Sequence, residues 1–129
     1  MLKLIFLLLL SPTTNIDKAH TIYHLLQVEE RDITAAIVRY ESGHLKCYQS
    51  KIVCAQKFGN LFGFRYRNKY LKFTSYAESV KYYRRWQARK WRKYKKSHPH
   101  KNYYDFLRHV GYCDKMTNYI RVIKQIQKM

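Results

Sequence analysis

Acidic side chains are scarce in this sequence. Only 8 Asp and Glu stand against 26 Lys and Arg among 129 residues, a formal net charge of +18. Such a surplus attracts polyanions, so nucleic acid, anionic lipid or an acidic cell-wall polymer is the expected partner or environment. Glycine (4) and proline (2) are few as well, which favours helices over a many-turned, loop-rich fold. The three cysteines, Cys47, Cys54 and Cys113, are an odd number and exclude a complete disulfide framework. A Cys47–Cys54 pair in an exported protein stays open beside three partly buried thiols. His44, Cys47 and Cys54 match no standard zinc spacing and lack an evident fourth ligand, so no metal is expected. The apolar run at residues 4–10 falls well short of the about 20 residues needed to span a bilayer.

Apolar matter is plentiful. Hydrophobic residues make up 47% and aromatic ones 16%, with 13 Tyr, far too many for a disordered basic tail. The length suits one domain with a single core. Lys3 followed by the apolar run gives residues 1–14 the first two parts of a secretory signal, but no small-residue cleavage site follows. A first helix packed on the domain is the alternative. Residues 15–129 are the expected domain, without internal repeat or linker.

Periodicity predicts a helix over 15–27, with Ile16, Ala19, Tyr23 and Leu26 as its apolar stripe. A second helix begins near Glu30, with Ile33, Ala36, Ile37 and Tyr40 inward and Gly43 as its stop. Gly59 and Gly63 bracket an apolar turn. Short extended segments around Phe64–Tyr66 and Tyr70–Phe73 then form a hairpin about Arg67 and Asn68. Ser75 and Glu78 in "SYAE" fit a capping box opening a long helix. Tyr76, Val80, Tyr83, Trp91 and Tyr94 form its stripe, broken only by Gln87, and Pro99 ends it. Two shorter helices follow over 102–110 and 117–127.

Between Ile33 and His100 the only acids are Glu41 and Glu78. The cap accounts for Glu78. Glu41 falls in the last turn of the second helix, where the helix dipole disfavours a carboxylate, so it is the candidate for chemistry. A general acid must hold its proton near neutral pH, well above the ordinary carboxylate range. Burial against aromatics can supply that shift, and distant surface cations are largely screened by salt.

Four blocks in order, "AIVRYESGH", "FGNLFGFR", "FTSYAESVKYY" and "YYDFLRHVGYCDKMTNYIRVI", resemble the bacterial and phage glucosaminidase domain family over residues 15–127. The resemblance implies a mainly α fold, a lysozyme-like helical domain with a short β-hairpin lobe beside the cleft. It also implies an endo-β-N-acetylglucosaminidase acting on peptidoglycan glycan strands, cofactor-free, monomeric and needing no nucleic acid. By position, Glu41 matches the family's catalytic acid. Asn60, Leu61, Phe62 and Gly63 match the turn framing the cleft, and Tyr112 and Tyr119 match a late tyrosine pair. Tyr112 is then the second catalytic group, aiding the substrate's own acetamido group. Asn60, Phe62, Gly63, Phe64 and Tyr119 are substrate-binding, and Phe62, Phe64 and Tyr112 offer faces for sugar rings. Two departures stand out. The hairpin lobe carries no second glutamate, and the late block "YCDKMTNY" has no proline and one extra residue. Asp114, beside Tyr112, is the best remaining candidate for a second carboxylate.

The strong charge would hold such an enzyme on an anionic cell envelope, as an exported protein or a phage lysin. A different class of function also fits. "KYYRRWQARKWRKYKK" interleaves aromatics and cations as a nucleic-acid-binding module would, although one helix with an inward aromatic stripe and an outward cationic face explains the same pattern. That outward face could equally lie on anionic lipid.

Overall fold

The computed structural model of the chain describes residues 15–42 and 59–129. The segment expected at 1–14, the Gly43 stop and the His44, Cys47 and Cys54 group lie outside the described residues. The described chain is mainly helical with one two-stranded antiparallel hairpin. Its order is α1 (Asn15–Leu25), α2 (Arg31–Glu41), β1 (Arg65–Tyr66), β2 (Lys69–Tyr70), α3 (Tyr76–Trp86), a π-helical turn (Gln87–Trp91), α4 (Arg92–Ser97), α5 (Tyr103–Val110) and α6 (Met116–Gln127). Among the described residues no helix is long and apolar enough to cross a membrane.

α1 lies along α3, and α2 along α6. The expected stripe of α1 is not its buried face. Ala19 is exposed, and Tyr23 and Leu26 are 62% and 40% exposed. Thr21, Leu25 and the following Val28 go inward instead. Thr21 can be buried because its hydroxyl donates to the Asp17 carbonyl at 2.6 Å, which removes the cost of an unpaired polar group. Asp17 also fixes how α1 meets α3. Its carboxylate accepts from the Tyr76 and Ala77 amides at 3.3 and 3.2 Å. These are two of the orphan donors at the positive end of a helix, where negative charge is favoured. Ser75 accepts from the Glu78 amide at 3.2 Å as expected, whereas Glu78 pairs with Lys81 on the surface. A reciprocal capping box forms at α5, between Asn102 and Asp105.

α3, the π-turn and α4 run on as one long helix whose inward residues are those the stripe predicted: Tyr76, Val80, Tyr83, Trp91 and Tyr94. Gln87 is buried among them, at the widened turn. Its amide nitrogen donates to the Glu29 carbonyl at 2.8 Å and to the Tyr103 hydroxyl at 3.0 Å, and its oxygen accepts from the Glu29 amide at 3.0 Å. One polar side chain thus ties the long helix to the α1–α2 connection and to α5. The hairpin pairs Arg65 with Tyr70 and Tyr66 with Lys69. Arg67 and Asn68 turn it, both at positive φ, as a two-residue connection requires.

Candidate functional site

Glu41 is the last residue of α2 and is half-buried. The helix stops at Ser42, whose amide donates to the Val38 carbonyl at 2.9 Å, so the carboxyl projects from a helix end and not from a helix flank. Opposite it runs the turn 60–64. Gly63 is needed there on two counts. Its φ is +69°, and a Cβ added to it would lie 2.8 Å from Glu41 Cδ, so the Glu41 carboxyl would have to shift. The bare backbone is what admits the carboxyl.

Asn60 holds this turn. Its side-chain amide donates to the Phe64 and Leu71 carbonyls at 2.8 and 3.1 Å, while its oxygen accepts from the Phe64 amide at 3.1 Å. Asn60 is fully buried, so the expectation that it binds substrate is corrected: it shapes the turn. Phe62 needs the same correction. It has no exposed surface and stacks on Tyr83 with centroids 4.1 Å apart and planes 15° apart. The face expected to meet a sugar is taken by the core.

Tyr112 and Tyr119 come together as expected, with centroids 5.9 Å apart. The Tyr112 hydroxyl donates to the Phe62 carbonyl at 2.8 Å, so its proton steadies the Phe62–Gly63 backbone and is not free for a substrate. Tyr112, expected as the second catalytic group, thus spends its proton inside the fold while its ring lines the cleft. Tyr119 is 2% exposed and packs edge-on against Tyr40 at 5.3 Å. It is too deep to bind a glycan and instead backs Glu41. Burial raises the pKa of both tyrosines well above the usual phenol value, and the nearby Glu41 carboxylate adds to it. Both hydroxyls keep their protons at physiological pH.

A cleft of about 410 Å³ opens over this arrangement. Glu41, Gly63, Phe64, Trp86, Tyr112 and Asp114 line it, with Arg65 and Asn68 of the hairpin at one side. Gly63 and Phe64 are thus where a binding role was expected. Asp114 shares the cleft with Glu41 and is exposed. Trp86 is a wall that periodicity missed. It lies one step off the inward stripe, and its only signal was being an indole on an otherwise cationic flank. Phe64 and Trp86 meet edge-on at 6.1 Å and Trp86 lies 5.7 Å from Tyr112, so the cleft presents a set of aromatic surfaces. No group of three or more His, Cys, Asp or Glu placed to hold a metal occurs among the described residues.

No protein-family model, curated protein or solved structure matches this chain. The glucosaminidase resemblance therefore rests on the four sequence blocks, and the chemistry on the cleft itself.

Away from the cleft, Arg85, Arg89, Arg92 and Lys93 are exposed as expected, and Lys81 and Arg84 partly so. Arg84 donates to His24 Nδ1 at 2.7 Å. An arginine can only donate, so that nitrogen is the acceptor of a neutral ring. Partial burial, then Arg84 and Lys81, lower the His24 pKa. Tyr83, Trp91 and Tyr94 of the same segment are buried and cannot stack on bases, which removes most of the aromatic half of a nucleic-acid-binding surface.

Proposed function

We propose that the protein is a peptidoglycan hydrolase of the endo-β-N-acetylglucosaminidase type, a lysozyme-like domain with Glu41 as general acid. The observation that carries this is the carboxyl of Glu41, set at a helix end against Gly63, in a cleft walled by Phe64, Trp86 and Tyr112. Aromatic faces suit the apolar faces of sugar rings, and a half-buried carboxyl can keep a proton for a leaving oxygen.

Glu41 gives its proton to the glycosidic oxygen as the bond to C1 of N-acetylglucosamine breaks. The positive charge developing at C1 is steadied either by the sugar's own 2-acetamido oxygen or by the Asp114 carboxylate. Water then adds to C1 and its proton restores Glu41. Glycosidases ordinarily use two carboxyls, with substrate-assisted enzymes as exceptions. The cationic outer face of α3 and α4 would keep the enzyme on an anionic cell envelope, reached by export or by release as a phage lysin.

Glu41→Gln tests the assignment. It should lower hydrolysis of purified cell walls about a hundredfold or more, the scale of lost acid catalysis, with an unchanged melting temperature. Wall lysis at near the original rate by the folded variant would end the glycosidase reading. Asp114→Asn in the same assay separates the two sources of charge stabilisation: a comparable loss assigns the role to Asp114, and a small one assigns it to the acetamido group.

A further inference from the structure

A second hollow, of about 420 Å³, adjoins the Glu41 cleft. Trp86 and Val110 line both, so the two hollows meet at these side chains. Their chemistry differs sharply. The first holds two acids, Glu41 and Asp114. The second holds none, and is lined by Lys90, Lys93, His98 and His109 around Tyr94 and Ser97.

Lys90 and Lys93 are exposed, and neither has an acidic partner among the described residues. They are not spent on internal ion pairs, unlike Arg92 and Lys95, which both reach Glu29. The floor is rigid. His98 stacks on Tyr94 with centroids 4.4 Å apart and planes 16° apart, and His109 lies 4.9 Å from the same ring. His98 Nδ1 lies 3.2 Å from the Tyr94 carbonyl. The same nitrogen lies 3.0 Å from the Ser97 hydroxyl, so two neighbours hold the ring in place.

We infer that this second hollow is a subsite for the carboxylates carried on a glycan strand, namely the peptide stems borne by the sugars next to the bond being cut. The inference rests on the hydrolase reading of the Glu41 cleft and adds a preference to it. The strand would pass Trp86, with an uncharged N-acetylglucosamine at the acidic end and a stem-bearing neighbour at the basic end. Two ammonium groups with no acid beside them are complementary to a substituent bearing several carboxylates, and Lys as a mobile point charge tolerates a flexible peptide.

The test compares soluble glycan strands bearing intact stems with strands from which an amidase has removed them, using the full chain. Both binding and cleavage are measured, for the wild type and for the double variant Lys90→Gln, Lys93→Gln. The wild type should bind stem-bearing strands more tightly, and the double variant should lose about three- to tenfold of that preference, the scale of two exposed charge contacts. Raising the salt should erode the same preference. Equal binding of the two strands by the wild type, or a preference left intact in the double variant, would overturn the subsite. The two ideas fail separately. A chain that prefers stem-bearing strands but cleaves neither sinks the hydrolase reading alone, and one that cleaves both equally well sinks the subsite alone.

Discussion

Gln87 and Glu41 are the two polar side chains around which this domain is arranged, and they are treated in opposite ways. Gln87 is fully enclosed, and both ends of its amide are satisfied by three bonds between 2.8 and 3.0 Å. Around Glu41 the accounts are left open. The hydroxyls of Ser42 and Tyr119 are buried with no hydrogen-bond partner at ordinary geometry, although Tyr119 is near enough to feel the Glu41 carboxylate. Buried polar groups are nearly always paired, so the unpartnered Ser42 hydroxyl beside Glu41 marks a place where stability has been given up. The Gln87 region is built to stay closed. The Glu41 region opens onto a cleft.

The sharpest way to break this contrast is Gln87→Leu. It leaves the Glu29 amide and carbonyl without their partner, and should cost on the order of 3 kcal/mol in denaturant unfolding. A loss below about 1 kcal/mol would mean the two sites do not differ in kind. Next in size is Gly63→Ala, which combines an unfavourable left-handed backbone with a clash against Glu41. It should cost more than Gly111→Ala, where φ is +62° but an added Cβ meets nothing within 4 Å. The Gly111 change isolates the backbone penalty, roughly 1 kcal/mol. Equal losses in calorimetry would show that Glu41 does not press on the turn. The smallest effect on stability belongs to Tyr119→Phe. Its hydroxyl makes no well-formed hydrogen bond and only adjoins the Glu41 carboxyl, so its removal should change unfolding by less than about 1 kcal/mol. Wall hydrolysis should nonetheless fall, because the variant removes the polar group backing Glu41. A marked loss of stability with unchanged hydrolysis would reverse the interpretation of both residues.

Much of the frame was legible in the residues. The stripe of α2, the turn at Arg67 and Asn68, the inward set of the long helix and its end before Pro99 all follow from period and from turn chemistry. Even the interruption at Gln87 was visible as a polar residue on an apolar stripe, though not what it bonds to. The errors come from side-chain partners that hydrophobic period does not encode. The face of α1 was misread because Thr21 reads as polar until its bond to the Asp17 carbonyl is known. Asp17 itself caps a helix nearly sixty positions later, which no local pattern encodes.

The candidate site was legible in its position more than in its roles. Glu41, Gly63 and Phe64 were found where they were expected. Asn60, Phe62 and Tyr119 are at the site too, but hold it up from within, and Tyr112 both supports the turn and lines the cleft. A sequence gives a residue's type and spacing, and the direction its side chain takes within a tight turn is decided by packing. Phe62 is apolar whether it greets a ligand or Tyr83. Trp86 needed the cleft itself, whereas Asp114, a candidate second carboxylate from its place beside Tyr112, does share the cleft with Glu41.

The π-turn at Gln87–Trp91 sets the phase of every residue beyond it. A widened turn inside a long helix shifts the side chains that follow it around the helix axis. Here the near end is held by Asp17 and the far end by the packing of Trp91 and Tyr94 against Phe106. Deleting one residue between Ala88 and Lys90 would close the turn and rotate everything beyond by about 100° relative to Trp86. Lys93 and His98 would swing away from the indole, so the basic hollow depends on the widened turn.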